Sequence, residues 1–416
     1  MFFKVKTSEE VLEILKGFSP VGEETLFLGD ALNRVLSKEI IAEEDLPEFS
    51  RSSMDGYAVR ARDTFGASET LPAFLDMTGE VLMGRVPAGS VSPGKAIRIS
   101  TGGMMPDGAD AVVMLEYCHS LDDKTIEISR TVSPLENVIR PGDDLKKGAV
   151  IFERGSILRP QDIGLLAGLG IQNIQVYKMP KVAIVSTGDE LVPIDQMPEP
   201  GQVRDINTYT LSAFCRQAGA TPVNMGLCKD SFPDLMEMVA GGLEASDTLW
   251  ISGGSSVGTR DMTVKVLESF DDMEVLVHGI SISPGKPTII ARIGGKAVFG
   301  LPGHAASAMV VAEIFLTPFL SRLSGEMNPS GDYHFHVEAE LSRNIESASG
   351  RDDYIRVKLD KRGGRLFAEP IFGKSGLIST LVDAQGLLKI DRNTEGLYQG
   401  QIVKVMPFKH SRGVSY

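Results

Sequence analysis

The chain has only three cysteines in 416 residues, Cys118, Cys215 and Cys228, scattered and odd in number. Disulfide pairing and a zinc site are both poorly served by that set, so the sequence points to free core thiols and a reducing cytoplasm. Long apolar runs are lacking too. None approaches the ~20 residues needed to cross a bilayer, and the opening Met-Phe-Phe-Lys-Val-Lys is not a secretory signal. Basic charge is also short. A net charge of -13 argues against wholesale nucleic-acid binding. It also repels anions at long range, so a phosphate site here must bring local basic groups or a bound cation.

What is present, 42% hydrophobic and 23% charged residues, suits a globular protein without repeats or low-complexity tracts. The length exceeds what one core serves and suggests about three domains. Thr7-Ser8-Glu9-Glu10 fits a capping box, with Val11, Leu12 and Leu15 continuing at helical spacing. A second helix is expected from Asp30, a candidate N-cap, to about Leu36. From about residue 51 to 133 short β runs alternate with glycine turns, for example at 96–100 and 111–115. Arg159-Pro160-Gln161-Asp162 then opens another helix. This pattern predicts a helical domain over 1–45 and 140–178, with a mostly-β module inserted at 46–139.

From Lys181 strand and helix alternate. Strands are expected at 182–185, 223–227, 248–251 and 275–278, with a hairpin of 287–292 and 297–299 across Gly294-Gly295. Helices are expected at 208–217, 233–243, 262–270 and 305–323. That is a three-layer α/β domain over 179–326. Strands near 335–340, 353–359, 365–370 and 402–406 then suggest a C-terminal β-barrel over 327–416. The fold class is therefore multidomain α/β plus β.

Four glycine-containing loops of the α/β region each follow a strand-like run: Ser186-Thr187-Gly188-Asp189-Glu190, a loop over 253–261, Pro284-Gly285-Lys286-Pro287 and Gly300-Leu301-Pro302-Gly303. If those runs are neighbouring parallel strands, the loops converge at the carboxyl edge, where open α/β sheets bind ligands. Gly253-Gly254-Ser255-Ser256 could surround a phosphate with backbone amides, ahead of a helix beginning near Asp261-Met262. Asp261 would be its N-cap or a metal ligand. Asp189 and Glu190 could hold a hard cation such as Mg2+, or merely cap the next turn. Asp230 places a further carboxylate on the same edge, or caps the helix near Pro233. Lys286, stiffened between prolines, suits phosphate neutralisation, or is a solvated surface lysine. His304 falls at a helix N-terminus, which disfavours its protonation. Outside this domain, Arg51-Ser52-Ser53-Met54-Asp55-Gly56-Tyr57-Ala58 and Thr101-Gly102-Gly103-Met104-Met105-Pro106 suit functional loops and buried polar turns equally.

Taken together these residues resemble the molybdopterin molybdenumtransferase family, the MoeA and gephyrin E-domain proteins, over nearly the whole chain. The signature at 51–58, the run at 99–113, Ser186-Thr187-Gly188-Asp189-Glu190-Leu191, the loops at 253–261, 284–287 and 300–303, Gly350-Arg351 through Arg356-Val357, and 373–381 occur in family order. The resemblance implies an elongated four-domain homodimer with its cleft between the α/β domain and the partner's C-terminal domain. It implies that adenylylated molybdopterin and molybdate give molybdenum cofactor and AMP, with Mg2+ as cofactor. It also implies that Asp55, Thr101, Glu190, Asp230 and Asp261 are functional. Glu190 and Asp261 would bind Mg2+, and Gly253, Gly254, Ser255, Ser256, Lys286 and Pro302 would lie around phosphate. A separate or fused adenylyltransferase is the implied partner, and neither nucleic acid nor membrane is.

Two positions depart from the family pattern. Ser283 stands where many members have lysine, and His304 follows Gly303 where many have Asn-Pro. Losing a cation near an oxyanion site makes a tungstate-preferring insertase the alternative. Other readings are a non-catalytic cofactor-binding scaffold, the sister adenylylation of molybdopterin, and a nucleotide pyrophosphatase on a related domain.

Overall fold

The computed structural model describes residues 5–253, 257–327 and 336–409; the side chains of 257–261 also lie outside the description. The chain divides into two compact units. One comprises residues up to Lys38, Arg154–Ile163 and the chain from Gln172 onward; the other comprises Glu39–Glu153 and Gly164–Ile171.

The larger unit opens on the Ser8–Leu15 helix. Its capping box forms as expected: Glu10 N–H donates to Thr7 Oγ1, and Thr7 N–H donates to the Glu10 carboxylate. The helix expected at 30–36 does not form. Leu28–Asp30 is a single 3-10 turn, and Asn33 takes a left-handed φ of 62°. Val35 and Leu36 then bridge Ile157 and Val176 as extended residues. Burying Leu36 completely outweighs the local helical pattern. The strands Glu23–Phe27 and Asn173–Tyr177 pair antiparallel across the inserted sequence.

The α/β domain carries a six-stranded sheet in the order Thr221–Cys228, Lys181–Thr187, Thr248–Gly253, Lys296–Leu301, Ile289–Ile293, Glu274–His278. The first four are mutually parallel, and Ile289–Ile293 runs antiparallel to both of its neighbours, Lys296–Leu301 and Glu274–His278. Alternation along Lys181–Thr187 sets the three layers. Val182 and Ile184 face a core with Leu211, Phe214, Trp250, Phe299, Phe315 and Phe319, while Ala183 and Val185 face Leu235, Val239, Leu249, Ile251 and Val266. Helices Asn207–Gln217 and Ala305–Leu323 therefore cover one face, and Phe232–Ala245 and Val257–Leu267 the other. The Ala305–Leu323 helix is long and apolar enough to cross a membrane, contrary to the first impression from the sequence, but 72% of that stretch is buried inside the domain. It carries a π-helical turn at Ala312–Leu316. Cys215 and Cys228 are buried free thiols and Cys118 is half-buried and free, as expected.

The C-terminal strands Asp352–Arg362, Arg365–Pro370, Val337–Leu341, Ile402–Pro407 and Gly386–Ile390 pair in that order and close back on Asp352–Arg362. This is a five-stranded barrel filled by Leu341, Val357, Leu359, Leu388 and Val405. Ile282–Ser283 of the α/β domain adds to it, parallel to Asp352–Asp353.

The smaller unit holds a six-stranded sheet ordered Ala111–Met114, Gly56–Val59, Lys95–Ile99, Ala73–Glu80, Thr125–Ile128, Cys118–Ser120, matching the mostly-β expectation. Gly56 is obligatory: a Cβ there would lie 2.0 Å from the Val113 carbonyl oxygen.

Candidate active site at the carboxyl edge of the sheet

Three of the four loops reach the carboxyl edge as parallel strands would deliver them. The fourth does so for another reason. The loop bearing Lys286 precedes the antiparallel strand Ile289–Ile293, whose Ile289 pairs with Gly300, so it is the start of that strand that meets the edge.

Registry places Thr187 beside both Gly253 and Cys228. Glycine is required at the first of these: Gly253 has φ 139°, and a Cβ would sit 2.1 Å from the Thr187 carbonyl oxygen. Gly188 has φ 154°, and a Cβ would meet the Glu190 carboxylate at 2.7 Å, so the turn keeps that carboxylate folded close over the backbone.

The acidic residues gather on the adjoining strand end. Asp189 accepts a 3.2 Å hydrogen bond from the Asp230 N–H, which ties the two loops together instead of capping its own turn. The Phe232–Ala245 helix is capped at Ser231, so Asp230 is not its N-cap. Asp189 and Glu190 are exposed and Asp230 is half-buried. Partial burial, and then the charges of Asp189 and Glu190, hold the Asp230 carboxyl above its ordinary range. Hard oxygen donors under mutual repulsion suit a divalent cation that keeps part of its water shell. Among the described residues, no group of three or more metal-type side chains is arranged around one point.

Gly254, Ser255 and Ser256 lie outside the described residues. Asp261 belongs to the Val257–Leu267 helix, which begins earlier than the sequence suggested. Asp261 is therefore inside the helix and not its N-cap, and its side chain is not described. Lys286 is exposed. Its loop is fixed beneath it: the Lys286 carbonyl accepts from Ile280 N–H, Thr288 Oγ1 donates to the Gly285 carbonyl, and Gly285 fits against Ile282 and Val311 with no room for a Cβ. Pro302 is buried at the end of Lys296–Leu301.

Asn207, which sequence reasoning missed, joins these loops. Its Nδ2 donates to Ser252 Oγ at 2.6 Å and to the Gly303 carbonyl at 2.7 Å, spanning two strand ends. Its signal was a polar run, Asp205-Ile206-Asn207-Thr208, entering an amphipathic helix; Thr208 meets Ser186 at 2.8 Å. His304 also engages a partner, its Nδ1 lying 2.8 Å from Ser375 Oγ.

Asp55 and Thr101 belong to the smaller unit and the structure brings them together. One Asp55 carboxylate oxygen accepts from Thr101 N–H at 2.7 Å and from Thr101 Oγ1 at 3.1 Å, leaving both residues exposed.

Family models match the chain in three consecutive parts. These are the MoeA N-terminal region (domains I and II) at residues 6–170, a probable molybdopterin-binding domain at 183–322, and the MoeA C-terminal region (domain IV) at 338–408. A putative molybdopterin biosynthesis protein of Methanocaldococcus jannaschii is 37% identical over 389 residues, 91% of either chain. The molybdopterin molybdenumtransferase of Haemophilus influenzae is 32% identical over 396 residues, covering 95% of this chain and 96% of its own. The crystal structure of a molybdopterin biosynthesis MoeA protein from Pyrococcus horikoshii OT3 superposes with a TM-score of 0.83 at 31% identity, over 97% of this chain and all of that one. With these three models matched in order and relatives more than 30% identical along nearly the whole chain, the chain belongs to the MoeA, or molybdopterin molybdenumtransferase, family.

Proposed function

We propose that this chain is a molybdopterin molybdenumtransferase. It takes adenylylated molybdopterin and molybdate, cleaves the phosphoanhydride with Mg2+, and releases molybdenum cofactor and AMP. The observation that carries the reading is the carboxyl edge. There a carboxylate set, Asp189, Glu190 and Asp230, shares the rim with a glycine turn at Gly253 and a rigidly seated lysine, Lys286.

Phosphoryl chemistry asks little covalent work of a protein and much positioning and charge neutralisation. Glu190 and Asp230 would hold Mg2+, with Asp261 of the next helix in support; the ion supplies positive charge to phosphate oxygens. The Gly253 turn lets a phosphate approach the backbone, and Lys286 offsets its charge. Asn207 keeps the 252–253 and 303 loops at fixed spacing, so the edge need not reorganise as charge develops. Asp55 and Thr101 act as a hydrogen-bonded pair toward substrate. The working form is a homodimer in the cytoplasm, supplied by an adenylyltransferase.

Pure protein incubated with adenylylated molybdopterin, Mg2+ and molybdate should release AMP only when molybdate is present, and should activate a cofactor-free molybdoenzyme. AMP release without molybdate or activation would instead establish a pyrophosphatase, and tight pterin binding without turnover a scaffold.

A further inference from the structure

The barrel loop at 373–381 matched the family in sequence, yet the reading above gives it no task. Two sets of contacts fix it. From below, the buried Arg356 donates from Nη1 to Thr380 Oγ1 at 2.6 Å and from Nη2 to the Gly373 carbonyl at 2.8 Å. From the side, the α/β domain holds its centre. Ala306 N–H donates to the Ser375 carbonyl at 3.2 Å, and His304 Nδ1 lies 2.8 Å from Ser375 Oγ. His304 directly follows Gly303, whose carbonyl is itself held by Asn207. A chain of polar contacts therefore runs from Ser252 through Asn207 and the 303–304 turn to Ser375.

Between the two anchors lies Lys374, exposed and without an ion pair among the described residues. The neighbouring arginines are committed. Arg356 holds the loop, and Arg351 Nε sits 2.9 Å from Asp353 Oδ1. The edge itself gathers carboxylates on a chain of net charge -13, while its substrates would bring a pyrophosphate and an oxyanion. Among the described residues of these loops, Lys286 and Lys229 are the exposed lysines, a thin supply of positive charge for that load.

We propose that His304 is a positioning residue: by gripping Ser375 it seats the barrel loop on the sheet edge, so that Lys374 joins Lys286 as a further cation for the anionic substrate. This rests on the edge being the site of oxyanion and phosphate chemistry.

The test compares wild type with His304→Ala, His304→Asn, Lys374→Ala, Lys374→Arg and the double alanine variant. Readouts are kcat and KM for molybdate, calorimetric binding of molybdate alone, and amide exchange over 373–381 without ligand. Lys374→Ala should raise KM for molybdate by about tenfold, more than it lowers kcat, and Lys374→Arg should recover most of it. His304→Ala should raise KM by about fivefold and speed exchange in the loop, and His304→Asn, which keeps a polar atom near Nδ1, should restore both. The double variant should be no worse than Lys374→Ala, because the two act in series. Unchanged KM and molybdate binding in Lys374→Ala overturn the inference, as does loop exchange unaltered in His304→Ala. Should His304→Ala fail to fold, His304→Asn and the Lys374 pair decide. Wild type that binds molybdate through Lys374 but releases no AMP overturns only the proposed reaction. Turnover indifferent to both positions overturns only this inference, and a wild type that neither turns over nor binds molybdate overturns both.

Discussion

Gly253 was singled out in the sequence as a phosphate-binding glycine, and the structure gives it a prior obligation to the sheet. In Gly253→Ala the new Cβ would begin 2.1 Å from the Thr187 carbonyl oxygen and 2.4 Å from Thr187 Oγ1. Neither is the far end of a flexible side chain, since the first is backbone in the last pair of a parallel ladder and the second sits on the Cβ of that same paired residue. The two strand ends must part by about 1 Å in a lattice packed too tightly to absorb it. Overpacking of that kind costs about 1–3 kcal/mol, and alanine at φ 139° adds about 1–2 kcal/mol of backbone strain. The sum is about 3 kcal/mol. The chain's single tryptophan, Trp250, is fully buried on the same strand, edge-on to Phe299 at 6.5 Å, so its fluorescence follows this domain. With a urea dependence of about 2 kcal/mol per molar, the midpoint should fall by about 1.5 M. A midpoint within about 0.2 M of wild type would refute the steric reasoning, leaving only a ligand-contact role for this glycine.

Three other outcomes are expected. Asp230→Asn removes one of three mutually repelling carboxylates, so without metal it should raise the Trp250 midpoint slightly while cutting turnover at least tenfold. Mg2+ should stabilise wild type more than this variant, and equal stabilisation would remove Asp230 from the metal site. Glu313, in the π-helical turn, has its carboxyl pushed up to about 7 by burial, so the fold prefers it protonated. Its contribution is present below pH ~4.5 and is lost as pH rises through about 7, so Glu313→Gln should stabilise the domain at pH 8 and hardly at pH 5, and a pH-independent effect contradicts this. Ser283→Lys should shift the ratio of molybdate to tungstate insertion; identical ratios in variant and wild type would end the idea that Ser283 sets oxyanion preference.

Local rules carried far in this chain. The Thr7–Glu10 capping box, the alternation across Lys181–Thr187 and the Gly294-Gly295 hairpin each depend on near neighbours, and each formed as the residues demanded. The failures share a cause in long-range pairing. Asp30 through Leu36 has helical spacing, but Val35 and Leu36 are claimed by partners more than a hundred residues away. The Glu23–Phe27 and Asn173–Tyr177 pair is equally remote, and no periodicity announces it. At the candidate site, the sequence places Asp189, Glu190, Asp230 and Gly253 at one sheet edge, where the structure also has them, because each directly follows or ends a strand that its apolar run announces. Asn207 was not, since an asparagine opening a helix looks like any other until Ser252 and Gly303 are seen on either side of it.

The strap that bears Lys286 has one end sewn into each of two sheets. Ile282–Ser283 runs beside Asp352–Asp353 in the barrel, and Ile289–Ile293 belongs to the α/β sheet. The span between them is a hydrogen-bonded turn, with Thr288 Oγ1 donating to the Gly285 carbonyl and the Lys286 carbonyl accepting from Ile280 N–H. A barrel that rocked against the sheet would therefore pull on the backbone that carries the lysine. On the proposed role of Lys286 the coupling would work in reverse: a phosphate held there would stiffen the joint. Grip on the ligand and domain tilt would then be one mechanical variable, and a hinge mutation far from the edge would be felt first at that ammonium group.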